Sequence, residues 1–272
     1  MSGEKQIAGY RIVRLLGMTL QWYNSSGQVQ IMVPFKRFVG VALLAVLALL
    51  TFDCVPKTEI VLEADTSSAS SSVENVIADT IAVIKARLQG LGISGATVEK
   101  QDDDLIIVRL PKVKNVDELV TVITSRGQLD FRELVADDNG SPVLDDKGEQ
   151  QWTVAKATAS DGQEAELTGK YLKPNSQVVI SPQYNEPEVA FDFNEEGAIL
   201  FEQITQRNLY KTLGIFVDNK LISAPTVQAV IKDKGVITGL NLDEAKALAI
   251  QLNSGALPVP LRVVSIEPNG KD

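Results

Sequence analysis

Apolar positions in this chain recur with two periods, and the points where the period changes divide it into elements. Ile77, Ile81, Ile84, Leu88 and Leu91 follow at intervals of four, three, four and three, which lays one apolar stripe along a helix. Gly90 and Gly92 close that helix, at the end where glycine is favoured. Runs at 57–63, 96–101 and 105–110 have the length and residue types of strands, and Asp102-Asp103-Asp104 between the last two is a turn signal. The polar stretch 66–72 links the first strand to the first helix. A second helix is predicted at 115–125, with Asn115 and Glu118 spaced as a capping box, and a strand follows at 128–134. The order β-α-β-β-α-β over 57–134 predicts a ferredoxin-like base. Two helices cover one face of its antiparallel sheet and leave the other free for a partner.

Between 135 and 185 the pattern weakens into turn clusters, Asp137-Asp138-Asn139-Gly140 and Asp145-Asp146-Lys147-Gly148, around short β candidates at 152–155 and 177–180. This reads as an inserted, loop-rich lobe. Regularity returns with a strand at 188–193 and a helix at 195–208 carrying Ala198, Phe201 and Ile204 on one face. A strand at 213–217 turns at Asp218-Asn219 and returns at 221–223, and a further β segment is predicted at 226–231. The last helix begins near Asn241, with Glu244 completing a capping box. It buries Ala245, Leu248, Ala249 and Leu252, stops at Gly255, and is followed by a closing strand at 261–266. The class is α+β throughout.

Charge changes the picture at the N-terminal end. Residues 1–56 carry Lys5, Arg11, Arg14, Lys36 and Arg37 against Glu4 and Asp53, a net +3, so the remainder holds −12 of the overall −9. An acidic body with no basic stripe argues against nucleic acid as a partner. Residues 38–52, FVGVALLAVLALLTF, are uncharged, have no polar face and follow Lys36-Arg37, so the segment is membrane-directed. No small-residue cleavage site follows it, which favours an uncleaved signal-anchor at 36–56. The basic flank then puts 57–272 on the extracytoplasmic side of a single-pass protein in the cell membrane. Thr51-Phe52-Asp53 before Cys54 lacks the small residues that lipidation of that cysteine wants. Residues 1–35 are either a short cytoplasmic tail or, in part, read-through upstream of a start at Met32.

Candidate chemistry is sparse. The chain has no histidine and one cysteine, so Ser-His-Asp and Cys-His arrangements, imidazole or thiolate zinc sites and intrachain disulfides are excluded. Asp102-Asp103-Asp104 reads as a solvated hairpin tip rather than a metal loop, and no metal or cofactor is expected. Glu195-Glu196 fall in the first turn of a helix, where they complement its dipole. Lys220 and Ser223 share a hairpin, but a Ser–Lys dyad needs a desolvated lysine in a cleft. Gly235 and Gly239 bracket no phosphate loop; they suit tight turns or positive φ. The expectation is a protein that is not an enzyme.

One set of segments is specific when taken in order. It comprises Leu167-Thr168-Gly169, Val189-Ala190-Phe191-Asp192-Phe193-Asn194-Glu195-Glu196-Gly197-Ala198 and Val217-Asp218-Asn219-Lys220-Leu221-Ile222-Ser223-Ala224-Pro225. Ile237-Thr238-Gly239, Glu244-Ala245 and Ser254-Gly255-Ala256-Leu257-Pro258-Val259-Pro260-Leu261 complete it downstream. Upstream stand Arg87-Leu88-Gln89-Gly90-Leu91-Gly92-Ile93, Val108-Arg109-Leu110-Pro111 and Gly127-Gln128-Leu129-Asp130-Phe131-Arg132. Over roughly 58–268 the chain resembles the P1 extracytoplasmic domain of the SecD family, accessory subunits of the bacterial Sec protein translocase.

The resemblance implies a base at 57–134, completed by about 246–268, and a head at 135–245. It implies a head that captures the emerging unfolded preprotein and moves relative to the base in a cycle driven by the proton motive force. It also implies SecF and the SecYEG channel as partners in the membrane. Gly127, Gly197, Pro225, Gly239, Gly255 and Pro258 then stand as structural motif residues. Two places depart from the family pattern: Lys57-Thr58-Glu59-Ile60-Val61-Leu62 replaces a glycine-rich first strand, and Lys112 stands where glycine is common. By the same resemblance a second membrane helix is expected beyond Asp272. The proton-coupling helices then lie outside this sequence, which alone is expected to be no proton-coupled motor.

Phe191, Phe193, Phe201 and Phe216 are the candidate lining of a polypeptide groove, with a plain core role as the alternative. Three functional readings stay open at the level of sequence. The first is a Sec export component handling preprotein. The second is a stand-alone membrane-anchored envelope adaptor with a SecD-like fold and a non-translocon partner. The third, ranked last, is a hydrolase dependent on carboxylates or on Lys220 and Ser223.

Overall fold

The computed structural model describes residues 58–268 except 68, 70 and 139, together with the backbone of four short strands nearer the N-terminus. Those strands, Gln6–Ile7, Tyr10–Leu16, Thr19–Tyr23 and Val29–Gln30, pair in that order as antiparallel neighbours, although the sequence there has no clean period. The membrane-directed run 38–52, Met32 and Cys54 lie outside the described residues. Among the described residues no helix is long and apolar enough to cross a membrane.

Pro56–Asp272 is a unit of its own. It begins with β1 (Thr58–Ala64), α1 (Val73–Gly90), β2 (Thr97–Lys100), β3 (Leu105–Leu110) and α2 (Val116–Thr124). Then come β4 (Leu129–Leu134), β5 (Trp152–Val154), β6 (Lys156–Thr158), β7 (Glu164–Glu166), β8 (Gln177–Ile180) and β9 (Pro187–Asp192). The chain continues with α3 (Glu195–Arg207), β10 (Leu213–Val217), β11 (Lys220–Ser223), β12 (Lys234–Ile237), α4 (Leu242–Ser254) and β13 (Leu261–Pro268). The unit is mixed α and β with several antiparallel sheets.

The first sheet has the order β13-β1-β3-β2, antiparallel at every step. Along β1, Ile60, Leu62 and Ala64 are buried while Glu59, Val61 and Glu63 on the opposite face are partly exposed, the period-two pattern of a sheet covered on one side. On the open face Arg109 bonds Glu59 and Glu99 on the neighbouring strands, both at 2.9 Å. These two bonds raise the affinity of its guanidinium for its proton.

The fourth strand of this sheet corrects the sequence reading. The run predicted at 128–134 leaves it and becomes β4 in a second sheet of order β11-β10-β4-β5; β13 takes the vacant edge of β1. Burial explains the choice. Leu129, Asp130 and Phe131 are buried consecutively, and so is every residue of β10, which suits strands covered on both faces. The first sheet has one open face and cannot bury such a strand.

A third sheet has the order β8-β9-β12, and β6 pairs with β7. The β segment predicted at 226–231 is not a strand. Its backbone is tied by Tyr210 N–H to Val227 O (2.8 Å), Val227 N–H to Lys211 O (2.9 Å) and Ile231 N–H to Thr205 Oγ1 (3.0 Å), and the strand lies further on, at β12. The two predicted capping boxes also diverge. Asn241 caps α4 with both halves of the box made, whereas the Asn115 amide donates to Glu118 Oε2 (2.7 Å) and leaves the backbone uncapped.

Two apolar cores result. One gathers Ile60, Leu62, Ile77, Ile84, Val108 and Ile123 under α1 and α2; the other gathers Leu129, Phe131, Val189, Phe193, Ile204 and Leu248. The chain passes from the first core to the second between Ile123 and Leu129, and returns between Leu252 and Leu257. Both β4 and α4 therefore belong with the second core, which takes in more chain than the 135–245 expected of a head.

Candidate functional site

The second core is built around phenylalanines. Alternation along β9 turns Val189 and Phe191 inward, and Phe193 follows in phase. The buried stripe of α3 adds Leu200, Phe201 and Ile204, and β4 adds Phe131. The Phe131 ring centroid lies 6.0, 5.7 and 5.7 Å from those of Phe191, Phe193 and Phe201, and Phe193 and Phe201 are 4.9 Å apart, all tilted pairs at ordinary aromatic spacing. The helix can approach this cluster because position 197 has no side chain. A Cβ on Gly197 would stand 2.7 Å from Tyr171 Cβ and 2.8 Å from Phe193 Cδ1.

The cluster forms the floor of a cleft of about 560 Å³. Phe131, Phe191, Phe201, Leu213 and Ile215 line it together with Pro225–Ala229, Ile231, Lys234, Gly235 and Val236. The charged side chains on the lining, Asp192 and Lys234, are 3.8 Å apart and offset one another, so the cleft is apolar and nearly neutral.

The predicted groove residues are divided by this geometry. All four are buried, at 2% (Phe191), 0% (Phe193), 4% (Phe201) and 5% (Phe216) exposure. Phe191 and Phe201 line the cleft from below, whereas Phe193 belongs to the core alone. Phe216 alternates to the opposite face of its strand from Ile215, meets Trp152 edge-on at 5.6 Å and lies 4.1 Å beneath the Arg132 guanidinium. Phe131 and Phe193 each pair with the other three rings of the cluster, and Phe131 stands in the sequence only as part of a motif.

Sequence reasoning missed a second feature, where the two crossings of the chain meet. Arg87 on α1 has no exposed surface. Its Nε donates to Ser254 Oγ (3.1 Å), its Nη1 to the carbonyls of Val122 (3.0 Å), Ile123 (3.4 Å) and Ser125, and its Nη2 to those of Arg126 (3.2 Å) and Gly255 (3.1 Å). These groups lie at the C-terminal ends of α2 and α4, where carbonyls lack intrahelical donors and the dipole favours a cation. Burial pushes the guanidinium pKa down to about 10, against the attraction of Asp218. The crossings need Gly127 (φ 68°) and Gly255 (φ 80°); a Cβ on Gly127 would also meet Arg87 Nη2 at 2.8 Å. The available signal was a cation three residues after Ile84, inside the apolar stripe. Of the other motif residues, Gly239 takes a positive φ, Pro225 accepts from Leu213 N–H (3.0 Å) at the cleft wall, and Pro258 is exposed between buried Leu257 and Val259.

The alternative chemistries are not assembled. Lys220 is exposed, and Ser223 Oγ lies 3.3 Å from Thr238 Oγ1 rather than beside an amine. Glu196 accepts from the backbone N–H (2.7 Å) and hydroxyl (2.6 Å) of Ser160, a structural use of the acidic first turn. Among the described residues no group of three acidic or cysteine side chains is placed to hold a metal ion.

Known proteins match this architecture. The model of the SecDF P1 head subdomain matches residues 141–259, and that of the N-terminal part of the protein translocase subunit SecDF P1 domain matches 77–136. The protein translocase subunit SecD of Dehalococcoides mccartyi is 37% identical over 212 residues, covering 75% of this chain and 46% of the relative. That of Dictyoglomus turgidum is 32% identical over 219 residues, covering 78% and 48%. The chain thus spans about half the length of the curated relatives it matches. A crystal structure of SecDF in a super-membrane-facing form superposes with a TM-score of 0.61 at 26% identity, over 85% of this chain and 35% of that one. A structure of a membrane component SecDF that enhances protein export superposes with a TM-score of 0.59 at 28% identity, over 77% of this chain and 99% of that one.

Proposed function

The chain belongs to the SecD family of protein translocase subunits through its P1 domain, and from that premise we propose that it assists export by holding an unfolded polypeptide segment in the phenylalanine-floored cleft. The observation that carries this reading is the cleft itself: about 560 Å³, apolar, and floored by Phe131, Phe191 and Phe201. An extended chain leaving a channel exposes apolar side chains that this surface removes from water, and the floor has little charge to select for one sequence.

The reading has a spatial frame. The first sheet with α1 and α2 is a ferredoxin-like base, supported by its strand order; the second core is a head inserted between α2 and β13. The head stands on the extracytoplasmic side of a signal-anchor at 36–56, in a protein of the cell membrane, and works beside SecF and the SecYEG channel. No covalent chemistry is asked of it. The free energy of apolar burial does the holding.

The test uses the intact protein in cells, with a photo-activatable residue at Ala229 on the cleft wall and an export substrate arrested in transit. The expected result is an adduct to the substrate from position 229 and little from Lys147, at a turn outside the cleft. Equal adducts from both positions, or none from 229, would overturn the reading.

A further inference from the structure

One wall of the cleft is a sheet edge. β12 ends the order β8-β9-β12, so it pairs with β9 on one side only. The register sets Phe191 opposite Gly235 and Val189 opposite Ile237, and Phe193 N–H donates to Asp233 O at 2.7 Å in the same phase. In an antiparallel ladder hydrogen-bonded and non-hydrogen-bonded pairs alternate. Asp233, Gly235 and Ile237 therefore turn their backbone groups toward β9, and Lys234 and Val236 turn theirs to the open edge. Among the described residues no backbone partner meets Lys234 or Val236 on that side. Both border the cleft, and between them the Phe191 ring lies so close beneath Gly235 that a Cβ there would stand 2.4 Å from Phe191 Cζ.

We propose that the polypeptide enters this cleft as an added β-strand, pairing with Lys234 and Val236 and setting alternate side chains on the phenylalanine floor; this rests on the reading that the cleft is the polypeptide site. Strand addition explains how one site serves many sequences, because the backbone supplies the directional bonds and the floor asks only for apolar side chains at every second position. Charge narrows the occupant. Asp192 and Lys234 offset one another on the lining, and residues 57–272 carry −12, so an uncharged or basic segment is accepted and an acidic one repelled.

The probe is a fluorescein-labelled peptide of alternating valine and threonine with lysine at each end, titrated by fluorescence anisotropy against the intact protein in detergent. Its partner is the same peptide N-methylated at every second amide, which keeps the side chains and removes one hydrogen-bonding edge. N-methylation is expected to weaken binding at least about tenfold, the scale of one or two backbone bonds lost. Val236→Pro should weaken the unmethylated peptide by about tenfold with the melting temperature unchanged, because it removes an outward N–H and no bond to β9. Equal binding of both peptides would overturn strand addition while leaving the cleft reading in place. No binding by either would overturn both. A β12-mediated dimer in sedimentation, lost in Val236→Pro, would make a second copy the occupant and overturn the proposal.

Discussion

Replacing Arg87 with lysine isolates what the buried guanidinium does, because it keeps the charge and most of the stem and removes only the fork. The native side chain makes six contacts, to Ser254 Oγ and to the carbonyls of Val122, Ile123, Ser125, Arg126 and Gly255. An ammonium has three donors, so at least three of the six contacts are lost. Four of the six contacts are only part-buried, so each one lost costs about 1–1.5 kcal/mol, which gives a loss of about 3–5 kcal/mol. For a domain of this size that is a fall in Tm of roughly 6–20 °C. Thermal unfolding of the intact protein, followed by far-ultraviolet circular dichroism, reads it directly. Arg87→Met supplies the control. Its charge is no longer buried, and since burial holds the native guanidinium pKa down to about 10, that relief works against the loss of the fork. If the cost of burying a cation dominated, the methionine variant would match the parent; if the fork dominates, both variants melt early. A lysine variant melting within about 2 °C of the parent would refute the argument that the fork joins the two crossings.

Other expectations follow from single positions. Gly235→Ala puts a methyl 2.4 Å from Phe191 Cζ and should cost about 1–3 kcal/mol in urea unfolding, through displacement of the ring. Asn241→Ala removes a complete capping box and should cost about 1 kcal/mol, read as a Tm lower by roughly 2–4 °C. The Asp65 carboxyl sits below its ordinary 3.8 because the Ser67 hydroxyl and N–H donate to it. The native pKa is the lower one, so that stabilisation is present above pH 3.8 and is lost as pH falls through the native value. Ser67→Ala should return the Asp65 titration toward 3.8 in a carboxyl-detected NMR experiment, and an unmoved midpoint would refute the assignment.

The candidate site was legible in pieces. The patterns locate β9, α3 and β10, and Phe191 and Phe201 stand among the four phenylalanines that the sequence offers for a groove. Their partition from Phe193 and Phe216 was not legible, because four phenylalanines on regular elements have the same hydrophobicity whether they line a cleft or fill a core. Arg87 was hidden for a different reason. A charged residue in an apolar stripe ordinarily points to solvent or marks a register slip, and only the carbonyls of two distant helix ends make its burial tolerable.

Local sequence by itself determined several of the helix and strand ends. The stripe of α1, the Asn241 box, the Asp218-Asn219 turn with φ of 50° and 68°, and the glycine stop at 255 each act through neighbours a few residues away. What only the tertiary structure decided was which strand joins which sheet. β4 was placed in the wrong sheet on sequence order alone, because a strand's partners depend on competition among edges more than a hundred residues apart and on whether both of its faces will be covered. The same competition left β12 with one partner. The open edge beside the phenylalanine floor is therefore a consequence of assembly, unreadable from the four residues that form it.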